Sequence, residues 1–170
     1  DKHRVNDAWH GTQGVGVNGS TIIVSEYLSN KDEDEQSYIY ISHNLGRSWN
    51  RKPFYNPTDF RHIHTCFPDI YTKDKWIITT GDASKQCRWY ESIDNGGSWV
   101  EAVIDFGCEK LNSPLQYKSL IRSTSIQYDE DNYYWVTDYI IGEDASYFKH
   151  SSAKAVVGST FLSLNKNRMR

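Results

Sequence analysis

Three acidic residues, Glu26, Asp82 and Asp138, stand at an equal interval of 56 positions, each at the end of a short run of β-branched or aromatic residues. Upstream of each lies a stretch that carries nitrogen-bearing side chains: His10 and Gln13, then Arg61, His62 and His64, then Arg122. Carboxylates, imidazoles and guanidinium groups that share one opening make a polar pocket of the kind that holds acidic or hydroxyl-rich sugars. A second reading stays open at each acid, because a carboxylate at a strand end can instead satisfy the backbone N–H groups of the turn that follows. His62 and His64, two apart on one strand, have with Asp82 the ligand types for a divalent ion. They equally suit histidines with no ligand role, and no metal is assigned. No cofactor-binding motif is present, so no cofactor is expected.

The elements that must position these groups are set by a repeat. Ser42-His43-Asn44-Leu45-Gly46-Arg47-Ser48-Trp49 recurs as Ser92-Ile93-Asp94-Asn95-Gly96-Gly97-Ser98-Trp99, fifty positions on. Asp or Asn followed two residues later by Gly suits a tight turn, since the short side chain bonds the backbone ahead and Gly accepts a positive φ. Trp49 and Trp99 are expected to fold back as buried apolar anchors. A period near 50 points to stacked β units.

Strand-like runs fall in order around the two octapeptides. The first unit, roughly 9–56, reads as strands at 9–17, 21–27, 37–41 and 48–54, with the hairpin marker Asn18-Gly19 between the first two. The second, roughly 58–104, reads as strands at 60–67, 75–80, 86–91 and 99–104. The third, roughly 116–165, reads as strands at 117–126, 133–138 and 146–151, with no octapeptide where one belongs. Residues 158–164 read as another strand, open to being the start of a further unit. The charge run Lys31-Asp32-Glu33-Asp34-Glu35 reads as a solvated loop, with an acidic cation site as the alternative.

The octapeptide resembles the Asp box, and the chain resembles the sialidase-like, BNR-repeat β-propellers, in which the box joins the third and fourth strands of a blade. On this resemblance Ser42, Asn44, Gly46, Trp49, Ser92, Asp94, Gly96 and Trp99 are structural, and Asn44 departs from the usual Asp. The resemblance implies an all-β fold of four-stranded antiparallel blades, about three of them in this one segment of 1–170, forming a partial propeller or a fragment. It implies first strands that line an axial channel, so that His10, Glu26, Arg61, His62, His64, Asp82, Arg122 and Asp138 become candidates for substrate binding. The function implied is recognition or processing of a glycan at an extracellular or surface location. The alternatives are a non-catalytic structural or interaction module of a larger assembly, such as a virion or cell surface, and a self-assembling half-propeller. The sialidase pattern also implies an arginine triad, a tyrosine nucleophile with a glutamate partner and an aspartate acid-base. Arg61 and Arg122 fit two of the arginines, but no Tyr/Glu pair stands out, so the catalytic residues stay unassigned.

Composition narrows the partners. Net charge is −3, and the only basic cluster, Lys166, Arg168 and Arg170, reads as a short solvated tail, so no nucleic-acid footprint is expected. No apolar stretch reaches the length of a membrane span, and no signal peptide is read at Asp1. Cys66, Cys87 and Cys108 are odd in number and widely spaced, which favours free, buried thiols over a disulfide framework. If a blade takes roughly 40–50 residues, a closed propeller needs more than this chain supplies. Its missing neighbours are expected from more of the same polypeptide or from a second copy.

Overall fold

A computed structural model describes residues 14–26, 36–55, 60, 62–81, 86–104, 120–137 and 161–169, with the side chains of His62, Thr124 and Phe161 outside the description. The described part is all-β and forms three antiparallel sheets. Sheet 1 contains β1 (Val15–Asn18), β2 (Thr21–Ser25), β3 (Tyr38–Ser42) and β4 (Asn50–Pro53), paired in chain order. Sheet 2 repeats this with β5 (His62–Pro68), β6 (Trp76–Gly81), β7 (Arg88–Ser92) and β8 (Val100–Glu101). Sheet 3 contains β9 (Ser123–Tyr128), β10 (Asn132–Thr137) and β11 (Phe161–Asn165), again in chain order.

The first strands of the three sheets are neighbours: β5 packs against β1 and β2 on one side and against β9 on the other. The fit is close. A Cβ on Gly16 of β1 would lie 2.5 Å from the Trp76 ring and 3.1 Å from the Phe67 backbone, so only glycine lets the two strands approach this far. Sheet 2 is consequently covered on both faces, and every residue of β6 is buried. That explains why Trp-Ile-Ile-Thr-Thr-Gly reads as a continuous run rather than an alternation. In β10, by contrast, Tyr133, Trp135 and Thr137 are buried while Val136 on the opposite face is exposed. Ile23, Ile41, Ile63 and Trp76 fill the space between sheets 1 and 2; Ile77, Trp89, Ile126 and Trp135 fill that between sheets 2 and 3. Full burial of each such side chain stabilises the fold by about 1.5–3 kcal/mol.

Both octapeptides join the third strand of a sheet to the fourth and fold alike. Ser42 Oγ accepts from the N–H of Gly46 (2.8 Å), and Asn44 Oδ1 accepts from the N–H of Ser48 (2.9 Å). In the second copy Ser92 Oγ accepts from Gly96 N–H (2.9 Å), and Asp94 Oδ1 from Ser98 N–H (2.8 Å). Gly46 and Gly96 have φ of +81° and +86°, as the turn requires. The Asn/Asp difference is absorbed by one hydroxyl: Ser98 Oγ donates to Asp94 Oδ2 (2.7 Å), whereas Ser48 Oγ accepts from Asn44 Nδ2 (2.8 Å). We call the end of the sheets that carries these turns the lower end.

Several expectations are corrected. Trp49 is not a buried anchor: it is 46% exposed and lies against Gly46 of its own turn. Trp99 is only half-buried, edge-on to Phe54 at 5.6 Å, and its buried Nε1 has no hydrogen-bond partner among the described residues. The largest fully buried rings are instead Trp76, Trp89 and Trp135, on inner or central strands. Residues 161–165 do not open a further unit; β11 pairs with β10, Leu162 opposite Trp135, and so takes the third place in sheet 3. The run 146–151 expected there lies outside the described residues, as does the charge run 31–35.

The fourth strand of sheet 2 is shorter than expected, because after Glu101 the chain bends until Ile104 bridges to Met169. Of the strand expected over 117–126, residues 117–119 lie outside the described residues and β9 begins at Ser123; the carbonyls of Leu120 and Ile121 accept from the indole N–H groups of Trp135 and Trp89 (2.8 Å each) instead of from a ladder. Lys166 is not part of a solvated tail; its ammonium is paired with the buried Asp69. Cys66 and Cys87 are buried, burial pushes the Cys66 thiol pKa up, and Cys108 lies outside the described residues. Among the described residues no helix is long and apolar enough to cross a membrane.

Candidate functional site

The end of the sheets opposite the octapeptides is where β2, β6 and β10 finish and β1, β5 and β9 begin. Two irregularities re-aim side chains here. In sheet 2 Ile63 pairs with Thr80 and Thr65 with Thr79, which leaves His64 as the extra residue of a β-bulge. In sheet 3 the register of β9 and β10 also shifts, between Trp135 and Thr137, next to the pair formed by Thr137 and Ser123.

The bulge turns His64 toward sheet 3. Its Nδ1 lies 3.2 Å from the carbonyl oxygen of Ser123, and Thr79 Oγ1 donates to the same oxygen at 3.2 Å. A carbonyl only accepts, so Nδ1 carries a proton. Thr65 Oγ1 and Thr79 Oγ1 are 2.7 Å apart, continuing the polar chain across sheet 2. His64 also fixes its neighbour: a Cβ on Gly81 would come within 2.8 Å of the imidazole Cε1. Arg122, which immediately precedes Ser123, is buried, as are Ser123, Thr79, Thr80 and Thr137. Ser123 Oγ is buried and has no hydrogen-bond partner among the described residues.

Glu26 is held differently. It is buried at the end of β2, and both carboxylate oxygens are engaged within sheet 1: Oε2 accepts from Tyr38 N–H (3.1 Å) and Oε1 from the Tyr40 hydroxyl (2.6 Å). Its own N–H donates to Tyr38 O (3.0 Å), so the residue prolongs the β2–β3 ladder. The strand-end acid in this unit is therefore held by one backbone N–H and one hydroxyl of β3.

Of the candidates, His64 is bonded to the backbone of Ser123, the residue after the buried Arg122, where β5 meets β9, and Glu26 belongs to sheet 1. His10, Arg61, Asp82 and Asp138 lie outside the described residues, and so does the side chain of His62. Among the described residues no group of three or more His, Cys, Asp or Glu is placed to hold a metal ion. Sequence reasoning missed the hydroxyls of Thr65, Thr79 and Ser123, which looked like ordinary strand residues. The one signal for them is the Thr79-Thr80 pair in a strand buried on both faces, where each hydroxyl must find a partner. The octapeptide residues sit at the lower end, away from this cluster. No protein-family model matches this chain, and neither does any curated protein or any solved structure.

Proposed function

We propose that the three sheets are consecutive blades of an Asp-box type propeller and that the chain recognises an acidic or hydroxyl-rich glycan at the upper end. The observation that carries this reading is that a bulged imidazole, His64, is bonded to the Ser123 carbonyl, next in the chain to the buried Arg122, where two first strands meet. The meander order of each sheet, the octapeptides between third and fourth strands and the adjacency of β1, β5 and β9 support the architecture. A guanidinium grips a carboxylate through two parallel N–H bonds, and a neighbouring imidazole and hydroxyls suit sugar oxygens. A non-catalytic recognition or assembly module is the second reading. It is favoured by Glu26, whose two oxygens are both engaged by Tyr38 and Tyr40.

Calorimetric titration with an oligosaccharide ending in a carboxylated sugar, set against its neutral counterpart, tests the proposal. The acidic sugar is expected to bind more tightly. Arg122→Lys, which keeps the charge and loses the fork, is expected to weaken it roughly tenfold, about 1.4 kcal/mol. Equal affinity for the two sugars, or an unchanged affinity in Arg122→Lys, would sink the reading. Release of the terminal sugar by the same preparation separates processing from recognition.

A further inference from the structure

Between the lower ends of sheets 2 and 3 the chain encloses one of its own lysines. Asp69, directly after β5, is fully buried; its Oδ2 accepts from the Tyr133 hydroxyl at 2.7 Å. Its Oδ1 accepts from Lys166 Nζ at 2.7 Å and from the Tyr71 N–H at 3.2 Å. The same Nζ lies 4.9 Å from the ring centroid of Tyr71, 5.2 Å from that of Tyr128 and 4.9 Å from that of Tyr133. The Tyr71 and Tyr128 rings are perpendicular, and Tyr128 and Tyr133 are inclined at 59°. Three aromatic walls thus stand over one carboxylate floor.

The ammonium has three N–H donors, and among the described residues its one oxygen partner is Asp69. The rest of its surface faces π clouds, which attract a cation without demanding a hydrogen bond and so accept an alkylated ammonium as readily as a primary one. The occupant is carried on a short turn that runs on to the buried Met169, which bridges to Ile104. Lys166 begins a single 3-10 turn, Lys166–Arg168, after the outermost strand of sheet 3, and its N–H is held by Asp131 O (2.8 Å). The carboxylate floor, by contrast, is built from sheets 2 and 3 themselves. Tyr71 is 52% exposed and forms the outer wall, whereas the Lys166 side chain keeps only 12% of its surface in solvent.

We propose that Asp69, Tyr71, Tyr128 and Tyr133 form a recognition site for alkylammonium groups, the head of lysine or of N-methylated lysine, which this chain occupies with its own Lys166. The site is separate from the sugar-binding end and does not depend on that reading. Displacement of the 3-10 turn opens the cage to a lysine presented by another chain, while the Asp69–Tyr133 bond keeps the floor in place.

The test has two measurements on the full chain. In the unaltered protein, NMR is expected to place the ε-methylene protons of Lys166 well upfield of those of every other lysine, and Tyr71→Ala is expected to shrink that displacement. In Lys166→Ala, n-butylammonium chloride is expected to raise Tm in a saturable way that sodium chloride at equal ionic strength does not. Tetramethylammonium is expected to act likewise, and the unaltered protein to respond to neither. Adding Tyr71→Ala to Lys166→Ala is expected to weaken the apparent affinity roughly fivefold, the worth of one partly exposed cation–π contact. An ordinary shift for Lys166, or a Lys166→Ala chain that responds to butylammonium as it does to sodium, overturns the proposal. Should Lys166→Ala fail to fold, the NMR comparison of the native chain with Tyr71→Ala decides alone.

Discussion

Asp94 and Asn44 occupy the same place in two copies of one turn, and only one of them can take up a proton. The Ser98 hydroxyl, then the Ser98 backbone N–H, hold the Asp94 carboxyl at a pKa of about 2 against an ordinary 3.8. A lowered pKa in the folded state means stability that is complete above 3.8 and drains away as pH falls toward about 2. Asp94→Asn is expected to cost about 1 kcal/mol near neutral pH, the size of an ordinary hydrogen-bond loss. That deficit should close between pH 4 and pH 2 in urea midpoints measured for both proteins. A gap independent of pH would show that the charge plays no part in the turn. Leu45 gives a second contrast, since it has φ of +57° and is 63% exposed, where the second copy has Asn95 at φ of +60°. Leucine gains nothing from that conformation and asparagine tolerates it, so Leu45→Asn is expected to stabilise by about 0.5–1 kcal/mol in denaturant unfolding.

Turns with equal wiring are not equal in what they touch. Asn95 of the second octapeptide donates from Nδ2 to Thr21 Oγ1 of sheet 1 (2.8 Å) and accepts at Oδ1 from the Trp76 indole (2.9 Å). A Cβ on Gly96 would lie 2.7 Å from Ile23 Cδ1, whereas one on Gly46 would meet nothing nearer than the Trp49 ring at 3.5 Å. Gly46→Ala should therefore cost only the positive φ, about 1–2 kcal/mol. Gly96→Ala should add an overpacking cost of about 1–3 kcal/mol between the sheets. Urea unfolding of the two variants checks the difference, and equal losses would mean that the second turn does not dock on sheet 1. The octapeptides were legible because Ser, Asp or Asn, and Gly act on backbone within eight residues. The bulge that redirects His64 was not, because it depends on the register of Thr79 and Thr80 across the hairpin.

At the scale of the whole molecule sheet 2 is tied to sheet 1 below by Asn95 on Thr21, and to sheet 3 at both ends, below by Asp69 with Tyr133 and above by His64 on the Ser123 carbonyl. This is why the two tryptophans part company. Trp99 is packed by Phe54 and by Tyr55, whose hydroxyl donates to the Trp99 carbonyl (3.0 Å), and both come from the sheet before it. No described residue plays that part for Trp49. Trp99→Ala is expected to cost about 2 kcal/mol and Trp49→Ala less than about 0.5 kcal/mol in the same unfolding assay; comparable losses would contradict the assignment. The strand content and the order within sheets 1 and 2 could be read from alternation and turn signals. The place of β11 could not, since its partner β10 is separated from it by residues 138–160. Lys166 was misread because a basic cluster normally seeks water, and Asp69 reads as nothing more than a turn residue after Pro68.

The contact of Gly96 with Ile23 also has a consequence for how the polypeptide is made. Ile23, Ile39 and Ile41 leave the ribosome early, but the strands and the turn that seal them, β5 to β7 and Asn95-Gly96, are translated afterwards. A nascent chain thus carries an open apolar face throughout the synthesis of its second sheet. Sheet 2 stands in the same relation to sheet 3, so the window for chaperone capture or misassociation opens a second time.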